Sequence, residues 1–205
     1  MHQAIVNETV NKSYGANHLT SGHLFGNYIH NFNAKNSLII KVDVNFNNNH
    51  ERSFNRSDIR YYRNFQKQNE LVNHYTLSLN NSLSTDISVV WNVSLVKQFM
   101  NMILSYSFKP EYSHAKNDLY RLERLGDLIS FGQLPNDSLM SKAYDISNSS
   151  HSTMHKLEHE ILLEFNVSFK NIVLLPGLFL IPQREHLNFF RGSIDTSLIR
   201  HEINL

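Results

Sequence analysis

Between Leu71 and Leu95 the odd positions read Leu71, Asn73, Tyr75, Leu77, Leu79, Asn81, Leu83, Thr85, Ile87, Val89, Trp91, Val93 and Leu95, with no charge among them. The even positions carry His74, Thr76, Ser78, Asn80, Ser82, Ser84, Asp86, Ser88, Asn92 and Ser94. Side chains of a strand alternate between two faces, whereas a helix repeats every 3.6 residues. A phase of two held this long specifies one extended strand with one apolar face. The turn-like stretch Asn80 to Asp86 leaves the phase intact, so the segment reads as a single strand. Soluble strands usually run about 5–6 residues, while a bilayer requires about 9–11 tilted ones.

The same rhythm recurs along the chain. Leu38, Ile40, Val42, Val44 and Phe46 share one parity against Lys41, Asp43, Asn45 and Asn47. Leu24, Tyr28 and Phe32 precede them across the polar turn Ala34-Lys35-Asn36, which predicts a hairpin. Met100, Met102, Leu104, Tyr106 and Phe108 form a second face, broken only by Ile103, and return the strand 71–95 through a turn near 96–98. A third hairpin enters along Leu157, Ile161, Leu163, Phe165, Val167 and Phe169, turns at Lys170-Asn171 and leaves along 172–182. Pro176 and Pro182 lack a backbone donor, so that return strand is expected to be interrupted or bulged. The expectation is an all-β, antiparallel, long-stranded sheet of about six strands in three hairpins.

The connections fall into two alternating classes. Short turns lie near 34–36, 96–98 and 170–171, and long polar loops at 48–70 and 110–153. Residues 1–20 form a poorly defined lead-in. Short turns at one rim and long loops at the other describe a transmembrane β-barrel with periplasmic and extracellular ends. The competing reading is a soluble extracellular or periplasmic β-sandwich used for binding or adhesion, since an apolar strand face packs equally well on another sheet.

Composition excludes several functions. The formal net charge is +1 over 205 residues, so no global field selects nucleic acid. The absence of Cys removes disulfides, thiolate metal sites and cysteine nucleophiles. The first residues, Met1 to Glu8, carry neither a basic nor an apolar signal region, and no apolar run approaches a membrane helix.

The segments Gly22 to Phe46 and Trp91 to Phe108, ending in "DVNF" and "LSYSF", resemble barrel repeats of TonB-dependent receptor-like outer-membrane proteins of the Bacteroidota type. The tract Asn136 to Asp145, followed by "LEHEILLEFNVSF" and Lys170-Asn171, is similar to that family's loop and next hairpin. The resemblance covers the chain from about residue 20 onward. It implies a wide bacterial outer-membrane barrel that takes up a nutrient, with the bilayer and lipopolysaccharide, a plug, the remaining barrel and TonB as partners. No plug, TonB-contact segment or terminal aromatic is recognisable, and six strands fall below the 8 of the smallest barrels. Residues 1–205 are therefore expected to be part of a larger barrel and not functional alone.

Candidate chemistry is sparse. His151, His155 and His159, with Glu158 and Glu160 nearby, would share a face on a helix as metal ligands do. The segment runs into a strand, however, and lacks the HExxH order, so no metal site is assigned. Arg52, Arg56, Arg60, Arg63 and Lys67, interleaved with Phe54, Tyr61, Tyr62 and Phe65, could grip phosphate or sugar, although Glu51, Asp58 and Glu70 offset that charge. Lys41, Asp43, Glu158, Glu160 and Glu164 are expected to face a water-filled lumen. Leu119, Leu122, Leu125 and Leu128 have helical spacing, weakened by Gly126. With no phosphate loop, nucleophile elbow or Ser, His, Asp set, neither an enzyme nor a cofactor is expected.

Overall fold

A computed structural model describes residues 7–63, 66–96, 99–170, 172–192 and 194–204, with the side chains of 7, 62, 63, 66–68, 127, 128 and 204 outside the description. The described residues form one antiparallel sheet. Its strands are β1 (Asn7–Asn33), β2 (Asn36–Arg63), β3 (Gln66–Val96), β4 (Met100–Arg121), β5 (Ser150–Phe169), β6 (Ile172–Leu174), β7 (Gly177–Arg191) and β8 (Ile194–Asn204). They lie side by side in the order β1-β2-β3-β4-β5-β7-β8, with β6 also on β5. The sheet is not closed, and no second sheet covers either face among the described residues.

Strand 71–95 is unbroken, inside β3. The return strand after Lys170 is interrupted where Pro176 predicts it. Phe165 N–H donates to Pro176 O at 2.9 Å, and β6 and β7 keep one register against β5. They thus occupy a single lane, giving seven lanes. Pairing of β5 with β7 also lapses between Glu158 opposite Gln183 and Ile161 opposite Leu180, where Pro182 supplies no donor.

Several expectations need correction. There are eight strands instead of six, because the return strand is divided into β6 and β7, with β7 running on to Arg191, and a further strand, β8, pairs with it. The described residues of 48–70 are strand, with Asn64 and Phe65 outside the description: β2 and β3 stay paired from Ser37 opposite Asn92 to Arg63 opposite Gln66, without a register shift. Residues 7–20, read as lead-in, pair along β2. Of 110–153, only 122–149 connects strands, as two 3-10 segments and one short helix, α1 (Asp137–Ala143). The leucine series gives a 3-10 segment at Leu122–Leu128, kinked at Gly126 with φ +70°. The turn at Ala34 and Lys35 is present. Lys97, Gln98 and Asn171 of the other two turns lie outside the described residues.

The register sets every alternating run in phase. Leu38 of β2 lies opposite Trp91, Trp91 opposite Leu104, Leu104 opposite Leu163 and Leu163 opposite Leu178. Two residues along, Tyr28, Ile40, Val89, Tyr106, Ile161 and Leu180 form the next row. Such rows recur as far as Phe46, Leu83, Tyr112, His155, His186 and Ile199. The following row is polar in every lane: Thr20, Asn48, Asn81, His114, Thr153, Asn188 and Ser197. One face therefore carries an apolar belt with an abrupt upper border. Arg184 in β7 is its charged exception.

Almost nothing covers this belt. Leu24, Tyr28 and Trp91 are 70, 58 and 43 % exposed. The accessible surface is 14515 Å², against roughly 10,000 Å² for a folded soluble monomer of this mass.

The core lies beyond the belt, towards the far end of β2. Tyr14, Phe54, Tyr75 and Tyr120 lie opposite one another across four strands, and Tyr120 bridges to Tyr144 of the 122–149 connection. Their ring centroids are 6.3, 4.7, 5.7 and 5.4 Å apart in turn. Phe54, Tyr75, Leu122 and Ala143 are buried, with Leu125, Phe131 and Met140 packed against them. Apolar burial thus holds the connection down as a clasp on the sheet. Asn136 caps α1, its side chain accepting from Leu139 N–H at 3.1 Å.

Phe54→Ala should remove the centre of this packing and cost about 3–5 kcal/mol. The expected readout is faster tryptic cleavage at Arg124 and Lys142 in the clasp, with slow exchange of the belt amides retained. Tyr14→Ala, at a side chain 59 % exposed, should leave the cleavage rate nearly unchanged.

Candidate functional surface

Behind the belt, at the same height, the opposite face is charged. Asp43 lies opposite Asp86, and Lys109 opposite Glu158. The neighbouring rows hold Lys41, Ser88, Ser107 and Glu160 on one side and Asn45, Ser84, Glu111, Lys156, Glu185 and Arg200 on the other. Carboxylates at 43, 86, 111, 158, 160, 185 and 202 outnumber the cations Lys41, Lys109, Lys156 and Arg200 on these rows. Lys41, Asp43, Glu158, Glu160 and Glu164 do share one face, as alternation requires. Ile103 falls there too, and beside the charged rows runs an apolar one, Ile29, Ile39, Val90, Leu162 and Phe179 with Ser105 among them.

The sheet gathers part of this set into a cluster. Lys109 Nζ forms a close ion pair with Glu160 and lies 3.8 Å from Glu158, which Lys156 Nζ meets at 2.7 Å. An open depression of about 280 Å³ lies there, lined by Asn45, Ser84, Asp86, Lys109, Glu111 and Glu158 among others. Carboxylates directly opposite one another repel. Asp43 is relieved by His23 Nε2 at 2.8 Å and Asn45 Nδ2 at 2.7 Å, while Asp86 Oδ1 has no hydrogen-bond partner among the described residues.

The histidine series separates. The three side chains project to one face but lie four residues apart on a strand, about 13 Å each. His151 Nε2 meets Asp118 Oδ1 at 2.7 Å, His155 packs on Tyr112, and His159 Nδ1 meets Tyr106 Oη at 2.8 Å. No group of three or more His, Cys, Asp or Glu among the described residues is placed to hold a metal. The arginine series disperses likewise. Arg56 pairs with Asp58 at 3.3 Å and Arg60 with Glu8 at 3.1 Å, and Phe54 is consumed in the core. Tyr61 Oη donates to Glu70 at 3.0 Å. The side chains of Tyr62, Arg63, Phe65 and Lys67 lie outside the described residues.

A buried polar network, which sequence reading missed, pins the clasp outside the belt. Asp118 is 2 % exposed, and its carboxylate meets His151 and, at 2.7 Å, Lys116 Nζ. Burial pushes its pKa up, but these two hydrogen bonds together with the charge interactions with Lys116 and His151 outweigh burial and hold it below the ordinary carboxylate value. Asp145 N–H donates to Leu119 O at 2.8 Å, Leu119 N–H to the buried Ser149 Oγ at 3.0 Å, and Arg121 pairs with Asp145 at 2.6 Å. A hydrogen bond from the Asn148 side chain lowers the pKa of Asp145, joined by Arg121 and Arg124 and opposed by burial. Burial, then the neighbouring Asp118 charge, push Tyr120 up to about 12. Lys116 stands beside Asp118 in the sequence, but the partner His151 lies 33 residues away, so only the contacts of Asp118 reveal its role.

A carboxylate with a lowered folded pKa stabilises fully above its unfolded value, about 3.9, and loses that contribution as pH falls through the folded value. Near-ultraviolet circular dichroism of the tyrosine row should hold constant from pH 7 to about pH 4 and collapse below that. Asp118→Asn should weaken the clasp at pH 7 by roughly 1.5–3 kcal/mol. Loss centred near pH 6.5 would instead assign control to imidazole titration.

Neither the scan against protein-family models nor the search of curated proteins finds a match.

Proposed function

We propose that this chain is a sector of the wall of a bacterial outer-membrane β-barrel, of the TonB-dependent receptor type, with the belt against lipid and the charged rows against lumenal water. One observation carries the reading. In a sheet one layer thick, Val42, Ile87 and Phe108 stand beside Asp43, Asp86 and Lys109 on the reverse face, so the two faces require different solvents. A charge in an apolar medium costs far more than any packing at its back returns. From Val93 to Leu83 the belt spans about 33 Å along the strand. Tilted by the usual 35–45°, that becomes the roughly 25 Å apolar band of outer-membrane barrels.

The polar row from Thr20 to Ser197 fits the water boundary, and Tyr112, His155 and His186 just below it fit an amphipathic interface. The receptor type rests on the resemblance of Gly22 to Phe46 and Trp91 to Phe108. On this reading the strand ends and the 122–149 clasp lie outside the cell, towards lipopolysaccharide. Nutrient uptake belongs to the completed barrel with its plug and TonB. The chain acts as wall and performs no catalysis. A β-sandwich for adhesion would require a second sheet laid over the belt and a core able to tolerate its reverse face.

Trp91, the sole tryptophan, lies in the belt and reports the solvent directly. With the chain in phosphatidylcholine vesicles, brominated acyl chains should quench its fluorescence strongly and aqueous iodide weakly. Protection from both would mean a protein core and sink the membrane reading. Leu104→Arg should cost about 2–4 kcal/mol and Ser105→Arg far less, measured by urea unfolding in the same vesicles.

A further inference from the structure

Seven lanes joined by six antiparallel pairings make β1 and β8, the two edges, run in the same direction. Exposed edges are ordinarily guarded by short length, charge, proline or bulges. β8 is short and holds Asp195, Arg200 and Glu202. β1 is long, and from Ser13 to Asn33 it contains no Asp, Glu, Lys, Arg or Pro. Its one register irregularity lies at Asn31/Asn33, beside the turn. Next to this edge large apolar side chains stand on both faces, Leu24 and Tyr28 on the belt side and Phe25, 74 % exposed, and Ile29 on the other, alternating there with His23 and Asn27.

We infer that the free edge of β1 from Leu19 to Asn33 is a pairing seam for an antiparallel strand that continues the belt, and that the block closing the sheet supplies an odd number of strands. The inference rests on the barrel-wall reading. Main-chain hydrogen bonds give such a strand its affinity, and alternate apolar side chains set its phase to Leu24 and Tyr28. The chain's own β8 does not fit, because it would meet β1 in parallel and close only seven lanes. A second copy inserted the same way up meets β1 with a parallel β8. A copy turned over pairs antiparallel but carries its clasp to the opposite rim.

The test uses the full chain in dodecylphosphocholine micelles and a synthetic peptide copying Leu83 to Leu95, the belt-length part of β3. Hydrogen exchange of alternate amides between Leu19 and Asn33 should slow about tenfold or more on adding the peptide. A peptide carrying Ser88→Pro and Val90→Pro should have no effect. No slowing with the intact peptide, or equal slowing with the proline peptide, overturns the seam. In phosphatidylcholine vesicles without peptide, the β1 edge should stay unprotected. Protection there together with release of an entrapped dye would mean that copies close by themselves, and would overturn the odd count. Trp91 quenching in those vesicles separates the two claims. Trp91 in lipid with a failed seam leaves the barrel wall standing, and Trp91 shielded from lipid removes both.

Discussion

The phase of side-chain alternation, carried from lane to lane by the register, is the constraint on which the sheet depends. A slip of one residue in any pairing would exchange Val42 for Asp43 or Phe108 for Lys109, turning charges onto the belt and apolar groups onto the charged rows. The two register shifts sit at Asn31/Asn33 and Ser94/Val96, next to turns and outside the belt rows, where an error of phase costs least. The pairing of β5 with β7 lapses at Pro182 and resumes in the same register. Proline here removes a donor without moving a face.

The far end of the sheet obeys different physics. Above the row of Thr20, Asn48 and Asn81 the belt gives way, and the molecule builds a small conventional core from Phe54, Tyr75, Leu122 and Ala143. On the proposed reading water lies on both sides there, so burial requires a cover, which the 122–149 connection provides. Asp118 and Asp145 then satisfy the polar groups that this cover would otherwise strand. The belt has no such cover among the described residues.

This division explains which parts were legible in the sequence. Where one face is apolar and the other polar, as along Leu38 to Phe46, Leu83 to Leu95 and Met100 to Phe108, alternation is plain and strands could be read directly. Beyond the belt, Asn48 to Arg63 pairs through its backbone, and among the described side chains only Phe54 is buried, so a largely polar run that folds as strand reads as loop. The part of β7 after Pro182 and all of β8 escaped for another reason, since Arg184, His186 and Asn188 blur the parity of the belt face. The shared face of Lys41, Asp43, Glu158, Glu160 and Glu164 follows from parity alone. That Lys109 joins two of these glutamates follows only from the register of β4 on β5, which no local pattern encodes.

β2 and β3 remain paired past the last contact of β3 with β4, at His74 opposite Arg121, and β1 accompanies them to Asn7 opposite Tyr61. The strand runs about 50 Å from Asn48 to Arg63, and the ribbon proper, from Asn55 opposite His74 onward, makes up about half of that. A three-stranded ribbon bends far less than a loop of equal length, since each strand braces its neighbour. If the polar row marks the membrane surface, the ribbon is a stiff mast whose tip clears the lipid headgroups by several nanometres. Whatever first meets this protein from outside, whether antibody, phage or ligand, would meet the mast head, and its sway would be transmitted through β2 and β3 into the wall beneath.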